Sequence, residues 1–465
     1  MVVSLTVAAA QQLSVKSATA KAVQLEWTGA TGSASLERSS GQTFQKIGPG
    51  DAGKYTDTGI DAFGTYKYRI NTGGKLSNEV TVGPPAAGVS NAAPAPKGSA
   101  YENYGPATAI SLDENGDPVM AFEWVDPNGD GDKADTEIRF VRWDRASYQW
   151  TKPVRVVTTG PIADQGVNAI AVGCDRGSGT LAMLAAVGDE LMYAVSSDRG
   201  ATWKSAPVNH AAGAPHSVAI AVAGGQAYAA VNGEDSAVYL TGSVADSSSW
   251  KPKPIPAGGG WKVRNSSNIA LTLDGSGKPA LAFYEDQQEG DVHRYVFWRP
   301  TDADPIVVTS DGSSDSPDVA LTYGGHKFGV LIAVQLGNDD SGHVVCYSQS
   351  AEGSSWSKPS KLPIDGPRST NPPLGIALDS KDAITAAFGS NSGSAAATCN
   401  FPAVSRSADG SSWKTCGPGK AAGADFNPEP STLHVMEAPN DKAYVLWQEP
   451  SETKYGPGVL IWHER

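Results

Sequence analysis

Twelve consecutive residues, Asp126-Pro127-Asn128-Gly129-Asp130-Gly131-Asp132-Lys133-Ala134-Asp135-Thr136-Glu137, carry the densest chemistry in the chain. They match D-x-[DN]-x-[DN]-G-x5-E at every fixed position. Calcium takes several hard oxygens spaced so that a short loop can fold around it. Gly131 permits the sharp turn, and Glu137 at the twelfth place can bind through both oxygens. Acidic side chains packed into one loop repel one another unless a cation or solvent screens them. The pattern predicts a Ca2+ site on Asp126, Asn128, Asp130, Asp132 and Glu137, without the flanking helices of an EF-hand.

Other chemistry is sparse. There is no GxGxxG after a strand, no GxxxxGK[ST], no GxSxG and no HExxH, which removes nucleotide-binding, hydrolase-elbow and zincin readings. The seven histidines are scattered. Among the four cysteines, Cys399 and Cys416 flank an expected hairpin and are candidates for a bond, whereas Cys174 and Cys346 fall in different repeats and read as buried thiols. No CxxC or His-pair spacing supports zinc. Glu123 and Glu285 are a candidate carboxylate pair for glycoside hydrolysis.

The formal net charge is −13 and the isoelectric point about 5.0. Such a surface repels phosphate backbones and argues against nucleic acid as a partner. No apolar run is long enough to span a bilayer. Val2–Ala10 reads like the tail of a signal peptide without its basic first region. A secreted or bacterial cell-surface location is expected from domain content, not from that segment.

The elements that must position these groups are strands. Short alternating segments separated by Gly, Asn, Asp and Ser turns recur throughout, the pattern of an all-β chain. Residues 1–83 read as an immunoglobulin-like β-sandwich, with strand candidates at Leu13–Val15, Val23–Trp27, Ala34–Arg38, Tyr55–Asp57, Tyr66–Ile70 and Asn78–Val82. Residues 84–100, rich in Pro and Ala, read as a semi-extended linker. From 101 to 465 one pattern returns seven times. Anchored on Ile110, Ile170, Ile220, Ile269, Val319, Ile376 and Leu433, its spacings are 60, 50, 49, 50, 57 and 57 residues. Periods of this size mean propeller blades or arrays. The seventh copy stops after its third strand, Val459–Trp462, so a closed ring needs an outer strand donated from before Tyr104.

Ser196-Ser197-Asp198-Arg199-Gly200-Ala201-Thr202-Trp203 matches S-x-D-x-G-x-T-W, with shortened copies at Ser407–Trp413 and Ser350–Trp356 and a weaker one at Ala245–Trp250. This resembles the Asp-box (BNR repeat) of sialidase-like β-propellers. The Trp27 strand and the Tyr66-x-Tyr68-x-Ile70 strand resemble a fibronectin type III domain. The resemblance implies an all-β chain, a sandwich and then a propeller; the seven repeats make it seven-bladed, with the six blades of sialidase rings as runner-up. Sialidase catalysis would further need three arginines, a Tyr nucleophile with its Glu, and an acid Asp. The early Arg-Ile-Pro motif is absent, and only Arg264, Arg294 and Arg368 fall near the relevant mouth, so that triad is not carried over.

In four-stranded blades the Asp-box turns share one face, and the resemblance to sialidase-like propellers implies that the opposite face is the working mouth. The expected ligand-binding residues there are Glu123, Trp124, His216, Arg264, Tyr284, Glu285, Arg368, Trp447 and Gln448. Strand-one starts add Asn168, Asn268, Asp318, Asn371 and Glu429. Polar groups interspersed with aromatics suit sugar recognition. The leading expectation is a non-enzymatic recognition or adhesion protein binding a glycan or surface protein with bound calcium. A carbohydrate-active hydrolase or lyase is the first alternative. A structural subunit assembling through the N-terminal segment is the second.

Overall fold

The computed structural model describes residues 11–30, 32–94, 107–125, 136–157, 167–264, 267–287, 293–310, 318–335, 343–365, 374–388, 403–416, 433–449 and 458–463. Among them every regular element is a strand, except a 3-10 turn at Ser247–Ser249. No helix of the described residues is long and apolar enough to cross a membrane. The chain divides into two compact units. One is Met1–Ala86 with Asn115–Asp117 and Arg142–Thr151, and the other is the remainder.

The first unit holds two antiparallel sheets. One orders Gln12–Ala18, Val23–Thr28 and Lys54–Asp57; the other orders Gln45–Pro49, Ser35–Ser39, Tyr66–Thr72 and Lys75–Leu76, with Val80–Val82 also on Tyr66–Thr72. Alternation places Val23, Leu25 and Trp27 inward from one sheet and Tyr66, Tyr68 and Ile70 inward from the other. The polar tips are satisfied inside. Trp27 Nε1 donates to the Gly50 carbonyl, and Asp57 accepts from the Tyr68 hydroxyl at 2.8 Å and from Arg38 at 2.9 Å. Two strands escaped the sequence reading, Gln45–Pro49 and Lys75–Leu76, because both are short and largely exposed.

In the second unit the described strands form seven antiparallel sheets, each built from strands consecutive in sequence except the last. Their first strands are Thr108–Leu112, Val167–Asp175, Pro215–Ala223, Ala270–Leu273 (preceded by Trp261–Val263), Val319–Gly324, Leu374–Leu378 and Leu433–Ala438. Each lies beside the next, and the seventh lies beside the first, so the order closes on itself. Side chains alternate along every first strand. Ile170, Val172, Ile220 and Val222 are buried between neighbouring sheets, each such burial contributing ~1.5–3 kcal/mol. The small residues between them, such as Ala169, Ala171, Ala219 and Ala221, line a central channel of about 1300 Å³ to which all seven first strands contribute.

Recurring hairpins fasten four of the sheets, the second, third, fifth and sixth, to the one before. Asp198 accepts from Thr202 N and Oγ1 at 2.9 and 2.6 Å, Gly200 N donates to Ser196 Oγ, and Gly200 takes φ +83°. Trp203 then packs on Phe140 of the first sheet at 5.1 Å. Asp409 and Gly410 repeat the turn, and Trp413 lies 5.6 Å from Tyr347 of the fifth sheet. Trp356 on Phe297 and Trp250 on Tyr193 do the same. At Gly200, Gly353 and Gly410 a side chain would enter the ring of the preceding sheet.

The seventh sheet consists of Leu433–Ala438, Lys442–Glu449, Gly458–His463 and, as its outer member, Gly88–Pro94. Its register runs from Gly458 opposite Pro94 to His463 opposite Gly88. The linker expectation for 84–100 is corrected over 88–94: this stretch is the donated strand. An outermost strand uses one edge of its backbone, so a terminal proline is tolerated.

Candidate functional site

One end of the channel is formed where the first strands begin. Most polar groups there are committed to latching neighbouring sheets. Asn168 donates to the Pro215 carbonyl at 3.1 Å. Ser217 Oγ accepts from Ile269 N at 3.0 Å, and Asn232 Nδ2 donates to the carbonyls of Arg264 and Ser267. Asn268 clamps Val319 through both its N–H and its carbonyl, at 2.8 and 2.9 Å. His434 Nε2 meets the Thr108 carbonyl at 2.8 Å, joining the seventh sheet to the first. A carbonyl only accepts, so that nitrogen carries the proton. Burial lowers the His434 pKa and keeps the ring neutral.

His216, which is exposed, and Asp318, which is half-buried, line the channel, and no side-chain hydrogen bond or ion pair from the described residues reaches either. Protein atoms around Asp318 strip water from its carboxyl, and this desolvation pushes its pKa to about 7. Nearby Tyr295 is raised well above its usual value, first by burial and then by Tyr284, Asp318 and Cys346.

Two further acids stand at strand-two ends. Glu123 is half-buried, and burial pushes it to about 7 against the opposing pull of the Val167 and Ala107 backbone N–H groups. Glu285 is wholly buried and takes Arg294 Nε and Nη2 on one oxygen at 2.6 and 2.5 Å. Desolvation outweighs that pairing and raises its pKa. The guanidinium of Arg294 lies over the Trp261 ring at 4.1 Å. Trp261 belongs to a feature of the fourth sheet alone among the described strands: its first strand is split, Trp261–Val263 pairing with Glu285–Gln287 and Ala270–Leu273 pairing lower down. Sequence reading missed Trp261; its signal was a short Trp-Lys-Val run ahead of the repeat's anchor.

The other expected residues separate. Tyr284 and Trp447 are buried, at 0% and 1% exposure, and so present no ring to a ligand. Their places in the alternation face the gap between sheets, and Tyr284 stacks instead on His293. This corrects the expectation of two aromatic platforms. Arg264 is half-buried, and its backbone N–H bonds the Tyr284 carbonyl. Glu123 and Glu285 belong to the first and fourth sheets and are held by different partners, so the structure gives no sign of a converging pair. Trp124 and Gln448 lie on strands, without description of their side chains; Arg368, Asn371 and Glu429 lie outside the described residues.

Of the expected calcium loop, 126–135 lie outside the described residues. Glu137 is described, and its carboxylate is paired with Arg139 at 3.0 Å and with Arg155. Cys174 is a buried thiol, Cys346 is half-buried, and neither is in a disulfide. Cys399 and the side chain of Cys416 fall outside the description.

No family model matches the chain, and no curated protein does. Solved structures do. The polysaccharide lyase Uly1 superposes with a TM-score of 0.49 at 9% identity, over 80% of this chain and 92% of that one. The α-L-arabinofuranosidase Arb93A from Fusarium graminearum gives 0.44 at 10%, over 81% and 97%. The NanB sialidase of Streptococcus pneumoniae gives 0.43 at 10%, over 98% and 93%. These are likenesses of all-β architecture, and residue roles do not transfer across them.

Proposed function

We propose that the chain is a secreted, carbohydrate-active protein: a fibronectin type III-like module followed in sequence by a seven-bladed β-propeller of the Asp-box type. Its glycan binds at the strand-start end of the channel and is cleaved there. The observation that supports cleavage over recognition alone is Glu123. Its carboxyl titrates at about 7, so near neutrality it can hold a proton and release it. It stands beside Ala107 of the channel wall. Burial of Tyr284 and Trp447 meanwhile removes two of the three aromatic rings on which a lectin-like reading leaned. Recognition without turnover remains the second reading, favoured by the commitment of Glu285 to Arg294.

The test is release of reducing ends or unsaturated products from a panel of polysaccharides. Glu123→Gln is expected to lose turnover by ~10²–10⁴-fold while retaining binding, the range for a lost general acid. Saturable binding without any product supports the second reading. A panel with neither binding nor product sinks both.

Calcium on Asp126, Asn128, Asp130, Asp132 and Glu137 is part of the proposal. The donor set suits a hard cation. Glu137 would have to exchange its two arginines for the ion, which costs affinity. A location on a bacterial exterior is likewise proposed.

A further inference from the structure

Among the described tryptophans that water partly reaches, Trp150, Trp203, Trp356 and Trp413 each pack on another aromatic ring, with centroids 5.1 to 5.6 Å apart. Trp261 packs on a guanidinium instead, with Arg294 Cζ 4.1 Å from its ring centroid. That guanidinium is fixed from behind. Glu285, at 0% exposure, holds Arg294 Nε at 2.6 Å and Nη2 at 2.5 Å. A buried ion pair is weak evidence of stabilisation. What this one achieves is a rigid seat for an indole.

The backbone before the ring is equally constrained. Trp261 N–H donates to the Gly258 carbonyl at 3.2 Å, with Gly259 at φ +58° and Gly260 at φ +88°. Two left-handed residues in succession make a tight turn that glycine enters without steric cost. A Cβ on either glycine would meet nothing within 4 Å, so the turn borders open space. Across the ladder Trp261 pairs with Gln287, which is exposed, and directly opposed residues share a face. A half-exposed indole seated on a cation thus stands beside a neutral amide, where strand two of the fourth sheet ends.

We propose that Trp261 is the stacking platform for a sugar ring, with Gln287 bonding its hydroxyls, and that the glycan taken at this mouth is a neutral one. This rests on the glycan reading above and narrows it. The indole presents a flat apolar face that matches the C–H face of a pyranose with equatorial hydroxyls, and an amide both donates and accepts. A ring already held in place loses little entropy on binding. Arg294 and Glu285 cancel in charge, so the seat offers an anionic sugar no net attraction. The net charge of −13 repels polyanions at longer range. The platform stands in for the rings of Tyr284 and Trp447, which the fold turns inward.

The experiment measures binding of cellohexaose, mannohexaose, xylohexaose and hexagalacturonate to the whole chain by calorimetry near neutral pH. At least one neutral hexamer is expected to bind about tenfold or more tightly than hexagalacturonate. Trp261→Ala should weaken that binding by about tenfold or more, whereas Trp261→Phe, which keeps a ring, should retain most of it. Both variants should hold the wild-type unfolding midpoint; Trp261→Leu, which fills the place without a flat face, serves the same comparison should the alanine variant fail to fold. Undiminished binding of a neutral hexamer by the alanine or leucine variant overturns the platform and leaves the glycan reading standing. Binding of hexagalacturonate alone overturns the neutral class. If no hexamer binds, the polysaccharide that the release panel identifies takes their place with the same variants, and an anionic one, or one indifferent to Trp261, overturns the proposal. If no glycan of any kind binds, both readings fall.

Discussion

Gly410 sits in the third-to-fourth-strand turn of the sixth sheet with φ +80°, and Gly277 sits in a first-to-second-strand turn of the fourth sheet with φ +77°. The two backbones are equivalent, but their surroundings are not. A Cβ at Gly410 would lie 2.5 Å from Tyr347 Cε1 of the neighbouring sheet, whereas a Cβ at Gly277 meets nothing within 4 Å. An L-residue in the left-handed region costs roughly 1–2 kcal/mol at either site. Overpacking at a well-filled contact adds roughly 1–3 kcal/mol at Gly410 only. Gly410→Ala should therefore lose roughly 2–5 kcal/mol and Gly277→Ala roughly 1–2 kcal/mol. Urea unfolding followed by tryptophan fluorescence reads both, because Trp413 packs on the same Tyr347 ring. Equal losses at the two glycines would refute the claim that these turns hold neighbouring sheets together.

Other outcomes can be checked alongside. Arg294→Met leaves Glu285 buried without its cation and should cost about 3–5 kcal/mol near neutrality; the deficit should shrink on acidification, since the lone carboxyl then takes a proton. Glu123 and Asp318 titrate at about 7 in the fold, above their unfolded values near 4. The folded chain thus binds more protons over that window, and their contribution to stability falls as pH rises from about 4 to 7. Asp318→Asn should flatten that slope in a series of melts, and an unchanged slope would mean the carboxyl is solvated. His434 acts in the opposite sense: with its pKa depressed, its contribution falls as pH drops below about 6.5. Millimolar calcium should raise the unfolding midpoint of the wild type and leave the double variant Asp130→Asn with Asp132→Asn unmoved; no rise in the wild type removes the ion from the proposal.

The repeats were legible because the same strand-one pattern had to recur wherever a sheet met its neighbours. Ile170, Ile220 and Ile376 are buried between sheets as their spacing required. The donated strand was half legible: the seventh repeat lacked its outer member, yet the Pro and Ala content of 88–94 concealed a strand whose demands are light at an edge. The site was harder. Strand alternation says which residues sit at strand ends but not which side of a sheet a ring turns to, and Tyr284 and Trp447 turned inward. Nor does sequence reveal which polar groups are already engaged. Asn168 and Asn268 looked like ligand contacts and proved to be latches.

The pairing of Gly88–Pro94 with Gly458–His463 has a consequence for biogenesis. On the ribosome the earlier of these strands emerges long before its mate exists. Every intervening sheet must be synthesised first, and through that interval the first sheet also lacks its neighbour across the seam. Contacts so distant in sequence slow folding and prolong the exposure of unpaired edges. Closure of the second unit thus waits until Gly458–His463 has been synthesised and can meet Gly88–Pro94.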